Sequence, residues 1–80
     1  MLKSPPLKAK ELIKILMVVG FTQDHIEGSH CILRRDIDRK KIVVPLHGSQ
    51  PLGKGITHAI LKQADLTPDQ VIKLRRWLFL

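Results

Sequence analysis

The four histidines of the chain, His25, His30, His47 and His58, are its best candidates for acid–base chemistry near neutral pH. Their spacing matches no metal-binding motif, and no cluster of cysteines or carboxylates completes such a site. The single cysteine, Cys31, cannot form an internal disulfide or a cysteine-rich metal site. We therefore expect no metal and no cofactor, so that any catalysis would rest on a histidine.

His30 has the most distinctive surroundings, because Gly28-Ser29-His30 predicts a tight turn that leads into a strand beside an arginine-rich stretch. A lone histidine can cleave RNA, since the nucleophile, a ribose 2′-hydroxyl, belongs to the substrate. The protein then has only to move protons, orient the phosphate and offset its developing charge. Arg34, Arg35 or Lys40 could hold phosphates. The pattern alone leaves open a purely structural histidine that hydrogen-bonds its neighbours.

The charge of the chain points to an anionic partner. A net charge of +7 at pH 7 favours nucleic acid, an anionic membrane face or an acidic protein. Only three aromatic residues are present, Phe21, Trp77 and Phe79, which argues against a base-stacking platform for single strands. We expect Trp77 and Phe79 to pack onto the domain or to form an oligomer contact. No apolar run approaches the roughly 20 residues that span a bilayer, so we expect a cytoplasmic protein with no membrane partner.

The helices and strands that would position these side chains can be predicted from the spacing of apolar residues and from the glycine, proline and capping residues between them. They are, in chain order, a helix over 7–19 closed by Gly20, strands over 21–27, 30–35 and 41–45, a loop over 46–55, and two further helices, the last opened by Thr67-Pro68-Asp69-Gln70. Residues 1–6 are expected to be a flexible arm of a single domain spanning 1–80. The order predicts an α+β fold, with one face of a three-stranded antiparallel sheet packed on helices and the other face open.

The chain resembles the HicA (YcfA-like) toxin family from about Lys10 to Leu74. Each matching segment is weak alone, but all of them in order and at the right separations are specific. These segments are Lys10–Leu16, Gly20-Phe21, Gly28-Ser29-His30, Val43-Val44-Pro45, His47-Gly48, Leu52–Ile56 and Ala59–Thr67.

The resemblance implies a double-stranded-RNA-binding-domain-like fold, α-β-β-β-α, here with an extra C-terminal helix. It implies the toxin of a type II toxin–antitoxin system, a metal-independent endoribonuclease (mRNA interferase) that a HicB-type antitoxin neutralises by covering the active site. The family's catalytic histidine corresponds to His30. We expect contacts to messenger RNA from Ser29, Lys10, Lys14, Arg34, Arg35, Lys40 and Lys54.

The chain departs from the usual family pattern in three ways. Glu27 precedes the glycine and would repel a phosphate, Cys31 stands where many relatives have a second histidine, and the acidic pair Asp36 and Asp38 occupies the turn between strands two and three. Cys31 is expected to point away from His30 into the core, because successive strand residues face opposite sides.

Other assignments stay open at this level. His47 could hydrogen-bond the backbone or carry a second proton, whereas His25 and His58 are expected to be surface residues. The alternative functions are a non-catalytic double-stranded RNA-binding module, an inactive toxin homologue, or a domain that binds only an acidic protein.

Overall fold

The described part of the chain folds into one helix, a three-stranded sheet and two further helices. The computed structural model describes residues 7–46, 48 and 50–79. The elements are α1 (Ala9–Val18), β1 (Thr22–Glu27), β2 (His30–Arg35), β3 (Lys40–Pro45), α2 (Lys54–Gln63) and α3 (Pro68–Phe79). The predicted α+β class and element order are confirmed, while the predicted arm, residues 1–6, lies outside the described residues. None of the described helices is long and apolar enough to cross a bilayer.

Local contacts explain where helix α1 begins and ends. The backbone N–H of Lys8 donates to Glu11 Oε1 (3.0 Å), which satisfies a donor at the helix start. At the other end Gly20 adopts φ +102°, a conformation that side chains rarely take. A Cβ there would also lie 3.1 Å from Arg35 Cδ. Gly20 therefore both ends the helix and allows the chain to turn directly into β1.

The sheet is an antiparallel meander with β2 in the centre. His30 at the start of β2 lies opposite Glu27 of β1 and Pro45 of β3. A bulge between Gln23 and His25 inserts Asp24 into the edge strand, which shifts the β1 register by one residue. Because cross-strand partners share a face, the register assigns each strand residue to one side of the sheet.

The helices cover one side only, here called the core face, while the opposite side is the open face. Cys31 and Leu33 of β2 are 1% and 0% exposed on the core face, and they belong to the single core cluster. His30, Ile32 and Arg34 alternate with them on the open face. The core is completed by residues from the helices, the sheet and the segments that flank them: Leu7, Ala9, Leu12, Ile13, Ile15, Leu16, Phe21, Ile42, Val44, Leu52, Ile60, Leu61, Ala64 and Val71.

The last two helices follow the predicted signals with one correction. The capping box of α3 is confirmed: Thr67 N–H donates to Gln70 Oε1 (2.9 Å), and Gln70 N–H donates to Thr67 Oγ1 (3.2 Å). The loop predicted over 46–55 is too long, because α2 already begins at Lys54 and accepts Gly55 in its first turn, where backbone N–H groups need no helical partner.

The C-terminal aromatic residues differ in their surroundings. Trp77 is 75% exposed, so the expectation that it packs onto the domain is wrong, and only a contact between molecules stays open for it. Phe79 is less exposed, and Lys14 Nζ lies 5.5 Å from its ring centroid. This contact links the polar side of α1 to the end of α3.

Candidate functional site

His30 lies at one end of the sheet, at the start of the central strand. The turn before it is made possible by Gly28, which adopts φ +56°. The carbonyl of Ser29 accepts a hydrogen bond from the backbone N–H of Leu46 (2.7 Å), which ties this turn to the segment that follows β3. The His30 side chain is exposed on the open face, where a molecule lying across the sheet would meet it.

Cys31, the next residue, faces the other way, as predicted. Its side chain is 1% exposed, and its Sγ lies 3.8 Å from Gln23 Oε1 on the core face. Burial raises the pKa of the Cys31 thiol, so it stays protonated at neutral pH. A protonated, buried thiol is a poor nucleophile, and Cys31 therefore belongs to the core.

A second histidine lies on the open face in a cluster of charges. His25 Nδ1–H donates to Asp24 Oδ2 (2.7 Å), and His25 Nε2 lies 3.1 Å from Glu27 Oε1. Asp24 Oδ2 is also 3.3 Å from Arg34 Nε. The four side chains thus form a chain of contacts, Glu27–His25–Asp24–Arg34, that runs beside His30.

The charges of this cluster shift one another's protonation. The pKa of His25 is raised, first by its hydrogen bond to Asp24 and then by its hydrogen bond to Glu27. The pKa of Asp24 is lowered by the same bond to His25 and by its contact with Arg34. His25 is exposed, as expected from the sequence, but it is not an isolated surface residue. In the sequence, the spacing Asp24-His25-x-Glu27 is the signal for this cluster. The bulge at Asp24 brings all three side chains onto one face.

The structure divides the predicted RNA-binding set between the turn and face of His30 and the helices on the other side of the sheet. Ser29 belongs to the same turn, and Arg34 lies on the same face, four residues along β2 or about 13 Å. Lys10 and Lys14 border an apolar groove beside α1, and this groove includes Leu46, the residue bonded to Ser29. Lys54 is exposed at the first position of α2.

Arg35, by contrast, lies on the core face and has intramolecular partners. Its Nη1 donates to the Val19 carbonyl (2.8 Å), its Nη2 donates to Asp38 Oδ2 (2.7 Å), and the guanidinium lies 4.5 Å from the Phe21 ring centroid. The carboxylate of Asp38 raises the pKa of Arg35, and Arg35 in turn lowers the pKa of Asp38. This arginine joins the end of α1 to the turn after β2.

Lys40 has a similar role at the other end of the sheet. Its Nζ donates to the Gln63 carbonyl (3.0 Å) and contacts the carboxylate of Asp65, which fixes the end of α2 against the first residue of β3. The structure therefore does not bring Lys40 or Arg35 to the face of His30. Their predicted RNA contacts stay predictions, made from the sequence alone.

Two further expectations concern metal binding and His47. Among the residues that the structure describes, no group of three or more histidine, cysteine, aspartate or glutamate side chains is placed to hold a metal ion. His47 lies outside the described residues, so both roles considered for it, a hydrogen bond to the backbone and the transfer of a second proton, stay open.

Comparison with known protein families identifies a match over most of the chain. A family model described as HicA toxin of bacterial toxin–antitoxin matches residues 9–66. No curated protein sequence matches the chain. The matched segment begins at the first residue of α1 and extends past α2, so it includes the whole sheet and the cluster around His25 and His30.

Proposed function

The chain belongs to the HicA toxin family of bacterial toxin–antitoxin systems, and we propose that it cleaves messenger RNA as an endoribonuclease without a metal ion. The observation that carries the proposal is the exposed His30 at the start of the central strand, on a sheet face that the helices leave uncovered. An imidazole in this position can reach the backbone of an RNA strand laid across the sheet. The site of action would be the cytoplasm, where messenger RNA is translated.

His30 would act as the general base. It takes the proton of a ribose 2′-hydroxyl, whose oxygen then forms a bond to the adjacent phosphorus while the bond from phosphorus to the 5′-oxygen breaks. The products are a 2′,3′-cyclic phosphate and a 5′-hydroxyl end. Arg34 lies on the same face and would bind a flanking phosphate by charge. Lys10, Lys14 and Lys54 lie on the helices behind the sheet, so they would bind phosphates only where the RNA continues around the edge of the sheet.

Membership of the family implies an antitoxin partner. We propose a HicB-type antitoxin with an acidic surface that covers the open face and so excludes RNA from His30. The net charge of +7 supports this, since one basic surface attracts both RNA and an acidic protein.

The test is cleavage of defined single- and double-stranded RNAs by pure protein in EDTA, comparing wild type with His30→Ala. We expect the rate constant to fall by about 10²- to 10⁴-fold, the usual contribution of a positioned acid or base. His58→Ala is the matched control, because His58 is an exposed histidine on α2, and this variant should cleave at the wild-type rate. A folded His30→Ala protein with wild-type activity would overturn the proposal.

One observation favours a second function. The carboxylate of Glu27 lies opposite His30 and would repel a phosphate, as expected of a homologue that binds RNA without cutting it. In that case wild type and His30→Ala would bind double-stranded RNA equally, with an affinity that falls steeply as salt rises. Neither protein would cleave.

A further inference from the structure

Two histidines share the open face across neighbouring strands. His30 lies opposite Glu27, while His25, two residues before Glu27, lies opposite Ile32. His25 and His30 are therefore diagonal neighbours across the β1–β2 pair, a relation that separates Cβ atoms by about 7 Å. That separation accommodates a phosphate group between two imidazole rings.

Cleavage of RNA by its own 2′-hydroxyl requires two proton transfers. One group must accept the proton of the 2′-hydroxyl, and another must donate a proton to the departing 5′-oxygen, because an alkoxide is a poor leaving group. His30 can perform only one of these transfers at a time. The face that carries His30 should therefore carry an acid within reach of the same phosphate.

We propose that His25 is the second catalytic residue, the general acid that protonates the departing 5′-oxygen while His30 accepts the proton of the 2′-hydroxyl. This assignment rests on the proposed ribonuclease function. One proton enters His30 and one leaves His25 as the bond from the 2′-oxygen to phosphorus forms and the bond to the 5′-oxygen breaks. Solvent then restores both histidines, so no co-reactant is needed.

Asp24 is the residue that positions His25. It accepts the Nδ1–H of His25 at 2.7 Å, and it is itself held by Arg34 at 3.3 Å. A carboxylate on one ring nitrogen fixes the plane of the imidazole and directs the other nitrogen, Nε2, towards the substrate. The bulge that inserts Asp24 into β1 is what places this carboxylate beside the ring.

Glu27 occupies the position where the substrate phosphate would approach. Its carboxylate lies 3.1 Å from His25 Nε2, and the residue is the cross-strand partner of His30. Its side chain is 75% exposed, so it can move into solvent when RNA binds. Glu27 therefore competes with the phosphate for His25, but the phosphate can displace it. For this reason a carboxylate can be tolerated beside a phosphate-binding site.

Both carboxylates also favour the charged form of His25. They raise its pKa, which suits a group that must hold a proton at neutral pH. The other groups that face this site are His30 and Arg34 from β2 and Lys41 from β3, the cross-strand partner of Arg34.

The experiment compares two RNA substrates that differ at the cleaved linkage. One has the natural 5′-oxygen, and the other has a 5′-bridging sulfur, which leaves as a stable thiolate and needs no acid. We expect His25→Gln to slow cleavage of natural RNA by about 10²-fold or more. The sulfur-containing RNA should be cleaved by His25→Gln at close to the wild-type rate. His30→Ala should be slow on both substrates.

The dependence of kcat/KM on pH, which reports the pKa values of the free protein, provides an independent readout. Wild type should lose activity at high pH as His25 loses its proton, and His25→Gln should lack this alkaline limb. Glu27→Gln removes one of the two carboxylates that raise the pKa of His25, so it should move the alkaline limb to lower pH. It should also lower KM, because a competing anion is gone. NMR titration of the His25 ring in the same variants should give the same order of pKa values.

The outcomes separate the two proposals. If wild type cleaves both RNAs and His25→Gln matches it on natural RNA, His25 is not the acid, although the ribonuclease function stands. If His25→Gln is equally slow on both substrates, His25 has a structural role and the assignment is wrong. Absence of cleavage by wild type would overturn both proposals.

Discussion

The two faces of the sheet carry adjacent arginines with different roles, one available to a ligand and the other bound within the fold. Arg34 lies on the open face, where its side chain is 49% exposed and its Nε lies 3.3 Å from Asp24 Oδ2 of the His25 cluster. Arg35, one residue later, lies on the core face with its side chain 14% exposed and bonded to Val19 and Asp38. A count of basic residues treats the two alike, but the pleat of the strand decides which cation is available to a ligand.

The largest expected difference between the faces is in the free energy of unfolding. Leu33 is fully buried between the sheet and the helices, so Leu33→Ala should leave a closed cavity and cost about 2–5 kcal/mol. Ile32 is also buried, at 4% exposure, but it is covered only by its neighbours on the open face. Ile32→Ala should therefore cost less, because these side chains can collapse into the space. Urea denaturation of both variants measures the difference.

Equal costs for the two substitutions would mean that the open face is covered in solution. That result would point to a second molecule on this face, which analytical ultracentrifugation would detect as a dimer.

The next expected effect separates the two arginines. Arg35→Ala removes hydrogen bonds to Val19 and Asp38 and the contact with the Phe21 ring, and we expect it to cost about 1–3 kcal/mol of stability. Arg34→Ala should change stability by less than about 0.5 kcal/mol, as is usual for an exposed pair. RNA affinity should show the reverse order, with Arg34→Ala binding more weakly. Thermal denaturation and fluorescence anisotropy with labelled RNA test both halves.

Weaker RNA binding by a stably folded Arg35→Ala protein would contradict the assignment. It would restore the sequence-based expectation that Arg35 contacts phosphate.

The elements, and the position of His30 at the start of β2, could be predicted because their signals are local. The helical spacing of apolar residues indicated α1, the capping residues Thr67 and Gln70 indicated the start of α3, and the short turn Gly28-Ser29 indicated where β2 begins. Each of these signals depends on neighbours within a few positions, so a single sequence contains all the information needed.

The side of the sheet on which an individual side chain lies could not be predicted in the same way. The bulge at Asp24 shifts the alternation of β1 by one residue, and nothing in the sequence marks it. Lys40 is predicted from the sequence to contact RNA, but in the structure it contacts Gln63 and Asp65, which lie more than twenty residues further along the chain. No local sequence pattern reveals these partners. Such contacts depend on how α2 packs, which is a property of the whole fold.

The smallest expected effect is a difference in pH dependence between the faces. On the core face, Arg35 lowers the pKa of Asp38 below its ordinary 3.8, so this pair stabilises the protein above that pH. The contribution disappears as pH falls through the lowered pKa. On the open face, the pKa of His25 is raised above 6.5, so its bonds to Asp24 and Glu27 stabilise the protein below pH 6.5. That contribution disappears as pH rises through the raised pKa, because only the folded state still binds the proton.

His25→Gln should therefore flatten the stability profile just above pH 6.5. Because the bond to His25 is also the largest cause of the lowered pKa of Asp24, this variant should leave the acid side mainly to Asp38. Asp38→Asn should flatten only part of the acid side and leave the region above pH 6.5 unchanged. Urea denaturation at a series of pH values measures both profiles. A wild-type profile that stays flat above pH 6.5 would mean that the bonds between His25 and its carboxylates do not persist in solution, and the general acid would then lack the group that orients it.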